Sequence, residues 1–208
     1  MVIMKIQPEI LRGYAIRVYT TRRIIQEFIS KFNGSCTILN LGAGYDTTFW
    51  NLQHLPDKFV EFDLPDVVMN KLRIVRSNSL LRVEETDAKI LARNFTVCVY
   101  AYEPVNLEDR FGYVMIENLQ RRQISLLGFD AAANTDSQIK RLKKADFHEV
   151  NLKTVKEVYE SFPDKKRIEK IHFLDENEVL IQLFNHYCFL LAMNKNASQK
   201  FSEFLNVL

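Results

Sequence analysis

Cysteine is scarce: only Cys36, Cys98 and Cys188 occur in 208 residues, and no two of them form a C-x-x-C pair. That spacing excludes a disulfide framework and the common zinc patterns, and it fits a reducing compartment. Glycine and proline are also few, at six and five residues. No Pro/Gly-rich linker, repeat or low-complexity tract divides the chain. Charge of a single sign is missing as well. The 28 Lys plus Arg stand against 26 Asp plus Glu, a formal net charge of +2, which does not suggest a nucleic-acid binder. Long apolar runs are absent: the longest, such as 187–193, fall far below the roughly 18 residues that span a bilayer. The opening Met1–Ile6 is too short for a secretory leader and is interrupted by Lys5. Without such a leader, the triplets at Asn33, Asn94 and Asn196 read as chance matches to a glycosylation signal. These absences predict a cytoplasmic protein with no membrane and no nucleic-acid partner. What remains is globular. A hydrophobic fraction of 47% with 26% charged residues fits one domain of this length.

Apolar residues Leu11, Tyr14, Val18, Ile25, Phe28, Ile29 and Phe32 recur at helical spacing from Pro8 to Phe32, and Asn33-Gly34 stops that helix. Thr37–Leu41 reads as a short buried strand that empties into Gly42-Ala43-Gly44. Asp46 can cap a helix over Thr47–Leu52. Lys58–Phe62 is a second strand ending at Asp63, and Pro65 opens a helix to about Arg76. Val83–Asn94 reads as another helix, with only Ser77–Arg82 in between, too little for a strand and its turns. Further on come a strand at Thr96–Tyr102, a long polar helix from about Leu107 to Leu127, and a helix at Ser137–Ala145. A strand at Phe147–Leu152 follows, then a helix to about Phe184 started by Asp175 and Glu178, and a last strand at Tyr187–Met193. The alternation predicts an α/β fold with a doubly wound sheet.

The most informative stretch is Leu39–Asp46. A strand emptying into a glycine-rich turn lets a ligand approach backbone, and a helix behind it would offer free N–H donors. Asp63 stands at the end of the next strand, where a carboxylate can accept from both ribose hydroxyls. Turn and acid, about 20 residues apart, mark a nucleoside-cofactor pocket. A dinucleotide turn wants a third glycine, and Thr47 holds that position. No G-x-x-x-x-G-K-[ST] loop is present. Two glycines and a ribose acid suit S-adenosyl-L-methionine, which has no phosphate. The bland alternative is an ordinary strand-to-helix turn with Asp63 capping a helix.

Gly42–Trp50 and Phe59–Pro65 resemble the cofactor motifs of the leucine carboxyl methyltransferases, and Arg12–Val18 resembles the arginine-bearing helix in front of them. Tyr102–Asn106, Asp109–Gly112, Met115–Leu119, Arg121–Gln123, Phe173–Glu176 and His186–Cys188 continue the match over nearly the whole chain. The resemblance implies a Rossmann-like methyltransferase sheet and S-adenosylmethionine as cofactor. The implied substrate is the C-terminal leucine carboxylate of the type 2A phosphatase catalytic subunit. It also implies that Arg17 binds the methionine carboxylate, that Gly42 meets the cofactor through its backbone and that Asp63 holds the ribose. A single methyltransferase-like domain is expected, with an N-terminal helix (1–36), a cofactor half (37–82) and a substrate half (83–208).

The departures matter equally. The family carries an N-terminal segment with a further cofactor-binding lysine, and this chain begins after it. Two strands are expected near the Arg82/Val83 junction and have no counterpart, a loss on the order of two βα units or about 60 residues. The central strands of the sheet are therefore missing. The strands at Thr37 and Thr96 must either join directly or leave unpaired edges.

A carboxylate nucleophile is ionised at neutral pH and needs no general base, so neither a triad nor a metal is expected. His54, His148, His172 and His186 read as surface or strand-end residues. Tyr102 ends its strand where open α/β sheets bind ligands and is a candidate to contact the substrate carboxylate. Arg121 and Arg122 are candidates to assist it, or else solvated helix residues. Three readings stay open: a phosphatase-directed carboxyl methyltransferase or a shortened form of one, a relative modifying the wybutosine base of transfer RNA, and a non-catalytic phosphatase-binding module.

Overall fold

The computed structural model describes residues 7–77, 96–125, 128–171 and 177–208. The expected helix at Val83–Asn94, the Arg82/Val83 junction, Leu127, His172 and the Phe173–Glu176 segment with Asp175 lie outside those residues. The chain divides into two compact units, one of Met1–Tyr19 with Asn94–Leu208 and one of Thr20–Arg93.

Helix α1 (Pro8–Lys31) runs through the boundary and carries Glu9 in its first turn and Lys31 in its last, charges that complement the helix dipole. It stops as expected: Asn33 and Gly34 take positive φ values of 50° and 82°, and the Gly34 N–H returns to the Ile29 carbonyl at 3.0 Å, a left-handed cap. In the second unit β1 (Thr37–Leu41) pairs in parallel with β2 (Lys58–Phe62), in register from Thr37 with Lys58 to Leu41 with Phe62. α2 (Pro65–Ser77) follows with proline in its first turn. The Phe49 ring packs against Phe59 at 5.4 Å and Trp50 at 5.7 Å, so aromatic contacts supply much of this small core.

The other unit holds β3 (Cys98–Pro104), α3 (Arg110–Arg121), α4 (Phe129–Ala132), α5 (Thr135–Lys144), β4 (Phe147–Thr154), α6 (Val155–Glu160), α7 (Lys165–Ile171), α8 (Asn177–Asn185), β5 (Tyr187–Asn194) and α9 (Lys195–Phe201). β5 lies between β3 and β4 and is antiparallel to both. Its apolar run Cys188–Met193 is completely buried, as a central strand covered on both faces must be. One face packs Phe189 with Ile16, Val155, Leu180 and Phe184. On the other, Leu190 and Ala192 pack with Leu142.

The expected mixed α/β composition is present. The described strands form two sheets, β1-β2 and β3-β5-β4. The long helix expected from Leu107 starts at Arg110 and ends at Arg121. Four short helices, α4, α6, α7 and α9, were not expected.

The reason for the late start of α3 is Asp109. Its side chain caps the helix by accepting from the Gly112 N–H at 3.0 Å, and its second oxygen meets His186 Nε2 at 2.9 Å. His186 is therefore no surface residue: it is 4% exposed, lies against the Phe111 ring at 4.1 Å, and turns Nδ1 to the Gln182 carbonyl at 2.6 Å. A carbonyl and a carboxylate are both acceptors, and one faces each ring nitrogen. Burial pushes the Asp109 carboxyl up, but the Gly112 N–H and the His186 ring outweigh it and hold it below its ordinary value. Two of the motifs carrying the family resemblance, Asp109–Gly112 and His186–Cys188, thus meet in space.

Gly112 has no room for a side chain, because a Cβ there would lie 2.1 Å from the Leu107 carbonyl oxygen. Gly112→Ala should cost on the order of 3 kcal/mol or more. Gly13 sits inside α1, where a Cβ would make an ordinary 3.6 Å contact with Phe184, so Gly13→Ala should gain about 0.5–1 kcal/mol. Urea midpoints at unchanged slope are the measurement, and equal stability of the two variants would contradict the packing described for α3.

Candidate functional site

The elbow after β1 is built by backbone. The N–H groups of Gly42 and Ala43 both donate to the Phe62 carbonyl, at 2.8 and 3.2 Å, which stitches the end of β1 to the end of β2. Gly42 and Gly44 take φ values of 68° and 51°, a left-handed conformation that favours glycine. Asp63 faces this elbow: Oδ2 accepts from the Gly44 N–H at 2.6 Å and Oδ1 from the Leu64 N–H at 2.7 Å. These two donors, Gly44 first, hold its carboxyl below the ordinary aspartate range, so it is an anion at neutral pH. A carboxylate has about four acceptor directions and two are used here. The rest are available to hydroxyl donors. Space is available too: among the described residues, chain neighbours aside, no atom lies within 4 Å of where a Cβ of Gly42 or Gly44 would stand.

The rest of the elbow differs from expectation. Asp46 caps no α-helix: its Oδ1 accepts from the Thr48 N–H and hydroxyl at 3.1 and 2.8 Å, and its Oδ2 accepts from Asn40 Nδ2 at 3.0 Å. Only a three-residue 3-10 turn, Phe49–Asn51, follows. Two β-branched threonines and two aromatics are poor helix formers, and the Asp46 side chain already takes the Thr48 donor. The helix N-terminus expected behind the turn is therefore absent, and the polar chemistry of the elbow rests on Asp63 and backbone. Leu41 and Leu64 flank it with 75% and 71% of their surfaces exposed.

Asp63 thus meets the elbow at Gly44, two residues beyond Gly42. Arg17 belongs to the other unit, on α1, and is exposed. Its guanidinium lies 5.4 Å from the Tyr14 ring and 5.5 Å from the Tyr102 ring. Tyr102 is packed in the core around Phe189 and stacked on Tyr187 at 5.3 Å. Burial, then Tyr187, pushes its hydroxyl upward, so it remains protonated at neutral pH. Arg121 and Arg122 lie exposed at the C-terminal end of α3, where Arg121 pairs with Glu117 at 3.6 Å. Cys98 and Cys188 are pushed up to about 12 by burial and are protonated thiols, not nucleophiles. Sequence reasoning missed the His186–Asp109 pair and the Tyr14–Arg17–Tyr102 cluster. The i, i+3 spacing of Tyr14 and Arg17 was the one available signal.

Residues 4–148 match the family described as leucine carboxyl methyltransferase. Leucine carboxyl methyltransferase 1 of Rattus norvegicus is 32% identical over 257 aligned positions, covering 89% of this chain and 77% of that protein. The Bos taurus protein of the same name gives the same figures. That of Caenorhabditis elegans is 27% identical, covering 89% of this chain and 78% of its own. The chain belongs to the leucine carboxyl methyltransferase family. Since 89% of 208 residues is about 185, against 257 aligned positions, part of the relatives' aligned sequence has no counterpart here.

The Gly44 amide provides a direct probe of the elbow. Its proton resonance should follow the ionisation of Asp63, with a midpoint below the ordinary aspartate value near 3.9. The hydrogen bond should be present above that midpoint and lost as pH falls through it. In Asp63→Asn the titration should vanish. A Gly44 resonance indifferent to pH in the wild-type chain would contradict the geometry.

Proposed function

We propose that this chain is an S-adenosylmethionine-dependent protein carboxyl methyltransferase, and that its substrate is the C-terminal leucine carboxylate of the type 2A phosphatase catalytic subunit, in the cytoplasm. The observation that carries the reading is the ionised Asp63, anchored on the Gly44 amide at 2.6 Å beside an elbow with open space over both glycines. That corner suits a ribose: among the described residues Asp63 keeps acceptor directions for two hydroxyls. Gly42 would meet the cofactor through backbone.

When bound, the cofactor supplies an electrophilic methyl group on a sulfonium centre. The substrate carboxylate is already ionised at neutral pH, so the protein's task is to bind, align and partly desolvate it. Tyr102, Arg121 and Arg122 are the candidates on the substrate side. We further propose that β1-β2 and β3-β5-β4 are two retained parts of a Rossmann-like doubly wound sheet within a single methyltransferase-like domain, with residues 37–82 as its cofactor half and 83–208 as its substrate half. The parallel β1-β2 pair with its glycine elbow supports that reading.

The separation of the strands into two sheets, together with aligned positions that lack a counterpart, favours a second reading: a non-catalytic module that binds the phosphatase without cofactor. Calorimetry of the whole chain with S-adenosylmethionine separates the two, followed by labelled methyl transfer to a peptide ending in leucine. Heat, transfer and a loss of about 10- to 100-fold in affinity in Asp63→Ala are expected. Absence of both heat and transfer would leave only the binding module.

A further inference from the structure

Three strand ends meet at one end of the β3-β5-β4 sheet. β4 begins at Phe147, which is paired with Asn194 at the end of β5. The Asn194 side chain accepts from the Val97 N–H, just before β3, at 3.2 Å. Two lysine-bearing elements converge on this place. α5 hands over to β4 within two residues, because Asp146 takes a left-handed φ of 69° and its N–H returns to the Lys143 carbonyl at 3.2 Å. Lys143 and Lys144, in the last turn of α5, therefore stand close to Phe147 in the chain, and Lys140 lies one turn earlier on the same helix face. α9 starts at Lys195, the residue after Asn194.

All four lysines are exposed, and among the described residues no carboxylate pairs with any of them. The acids near them are Asp146 in the turn and Glu149, which accepts from the Ser198 hydroxyl, while Asp136 belongs to the first turn of α5. The helix dipole favours a cation in the last turn of α5 but opposes one at the first position of α9. Lys195 thus gains nothing from its own helix, and like charges gathered without partners cost stability. On a chain whose formal charge is only +2, that concentration points to a role outside folding.

We propose that Lys140, Lys143, Lys144 and Lys195 form a docking surface for an acidic segment of a partner protein, rich in Asp and Glu. Charge complementarity calls for an anionic partner, and the side chains select its class. Lysines are compact point charges, and the arginine beside them, Arg141, is spent on Glu103 at 2.6 Å, so the planar fork that reads phosphate is not on offer. The aromatic at this end, Phe147, is half-buried against the core around Leu190. Among the described residues, then, no exposed ring at this end can stack on a base or enter a bilayer. Carboxylates spaced along a flexible chain need neither. The surface lies on the unit that does not carry Asp63, and it stands whether or not the chain binds S-adenosylmethionine.

The test is fluorescence anisotropy of the whole chain with a labelled peptide of alternating Glu and Asp. Binding should weaken as salt rises. The reversal Lys143→Glu/Lys144→Glu/Lys195→Glu should weaken it about 10-fold or more, and the milder Lys144→Gln/Lys195→Gln about 2- to 5-fold. The control Lys166→Glu/Arg167→Glu/Lys170→Glu makes the same charge change on exposed residues of α7 and should stay within about twofold of the wild-type chain. Urea midpoints report whether each variant folds, and the glutamine pair decides the matter if the triple reversal does not. A wild-type chain that ignores the peptide, or variants that bind it as the wild-type chain does, would overturn the proposal. Equal loss in the α7 control would reduce the effect to net charge and overturn it too. So would tighter binding of single-stranded RNA or of phosphatidylserine vesicles through the same lysines.

Discussion

Backbone N–H groups donated to an ionised carboxylate fix each of the two units where strand gives way to turn. In one, Asp63 gathers the amides of Gly44 and Leu64 and sets the shape of the glycine elbow. In the other, Asp109 gathers the amide of Gly112 and the ring of His186, tying the start of α3 to the chain between α8 and β5. Charged acceptors make stronger hydrogen bonds than neutral ones. Both aspartates are held below their ordinary values, so at neutral pH each is committed to its anionic form. The shared device has different consequences. Asp109 spends its second oxygen on a buried histidine and is structural, whereas Asp63 keeps acceptor capacity toward open space.

What could be read from the chain follows the range of the interaction. β1, β2 and the end of α1 were legible because local signals bound them: Asn33-Gly34 as a left-handed stop, Gly42 as the exit from a short apolar run, Pro65 as a helix opener. α6 was legible in principle. Thr154 and Glu157 form a complete capping box, and the Thr-x-x-Glu pattern stands in the sequence, but six residues are too few for periodicity to show. α9 has the same character, with Asn194 accepting from the Ala197 N–H. His186 was misread for the opposite reason. Its partner is 77 residues away, and nothing local distinguishes a buried, doubly bonded imidazole from a strand-end one.

Strand direction was not legible either. A run such as Tyr187–Asn194, apolar on both faces, shows that a strand is central but not whether its neighbours run with it. The antiparallel placement of β5 between β3 and β4 is set by long-range pairing, where Tyr102 faces Phe189 on one side and Leu152 faces Leu190 on the other. The elbow offers the converse case: its residues were correctly singled out, but the helix expected behind them was not formed. Asp46 binds locally to Thr48 and Asn40, and such side-chain bonds compete with helix formation at this kind of residue.

Relatives of this chain carry aligned positions that it lacks, and the sheet topology gives that difference a physical meaning. β1 and β3 are each edge strands among the described residues, and an edge strand presents unpaired amides and carbonyls along its length. β5 shows the alternative, paired on both sides and buried through Met193. A parallel pair five residues long, such as β1-β2, gains little from its own ladder. It leans on the Phe49–Phe59 contact and on the amides gathered by Asp63. The fold around the elbow therefore depends in part on polar geometry at the end of the strands, the same atoms that the proposed chemistry uses. Any group that settles on Asp63 and the glycine backbone would act on the stability of that unit as well as on its function, because a ligand that binds only the folded form stabilises it.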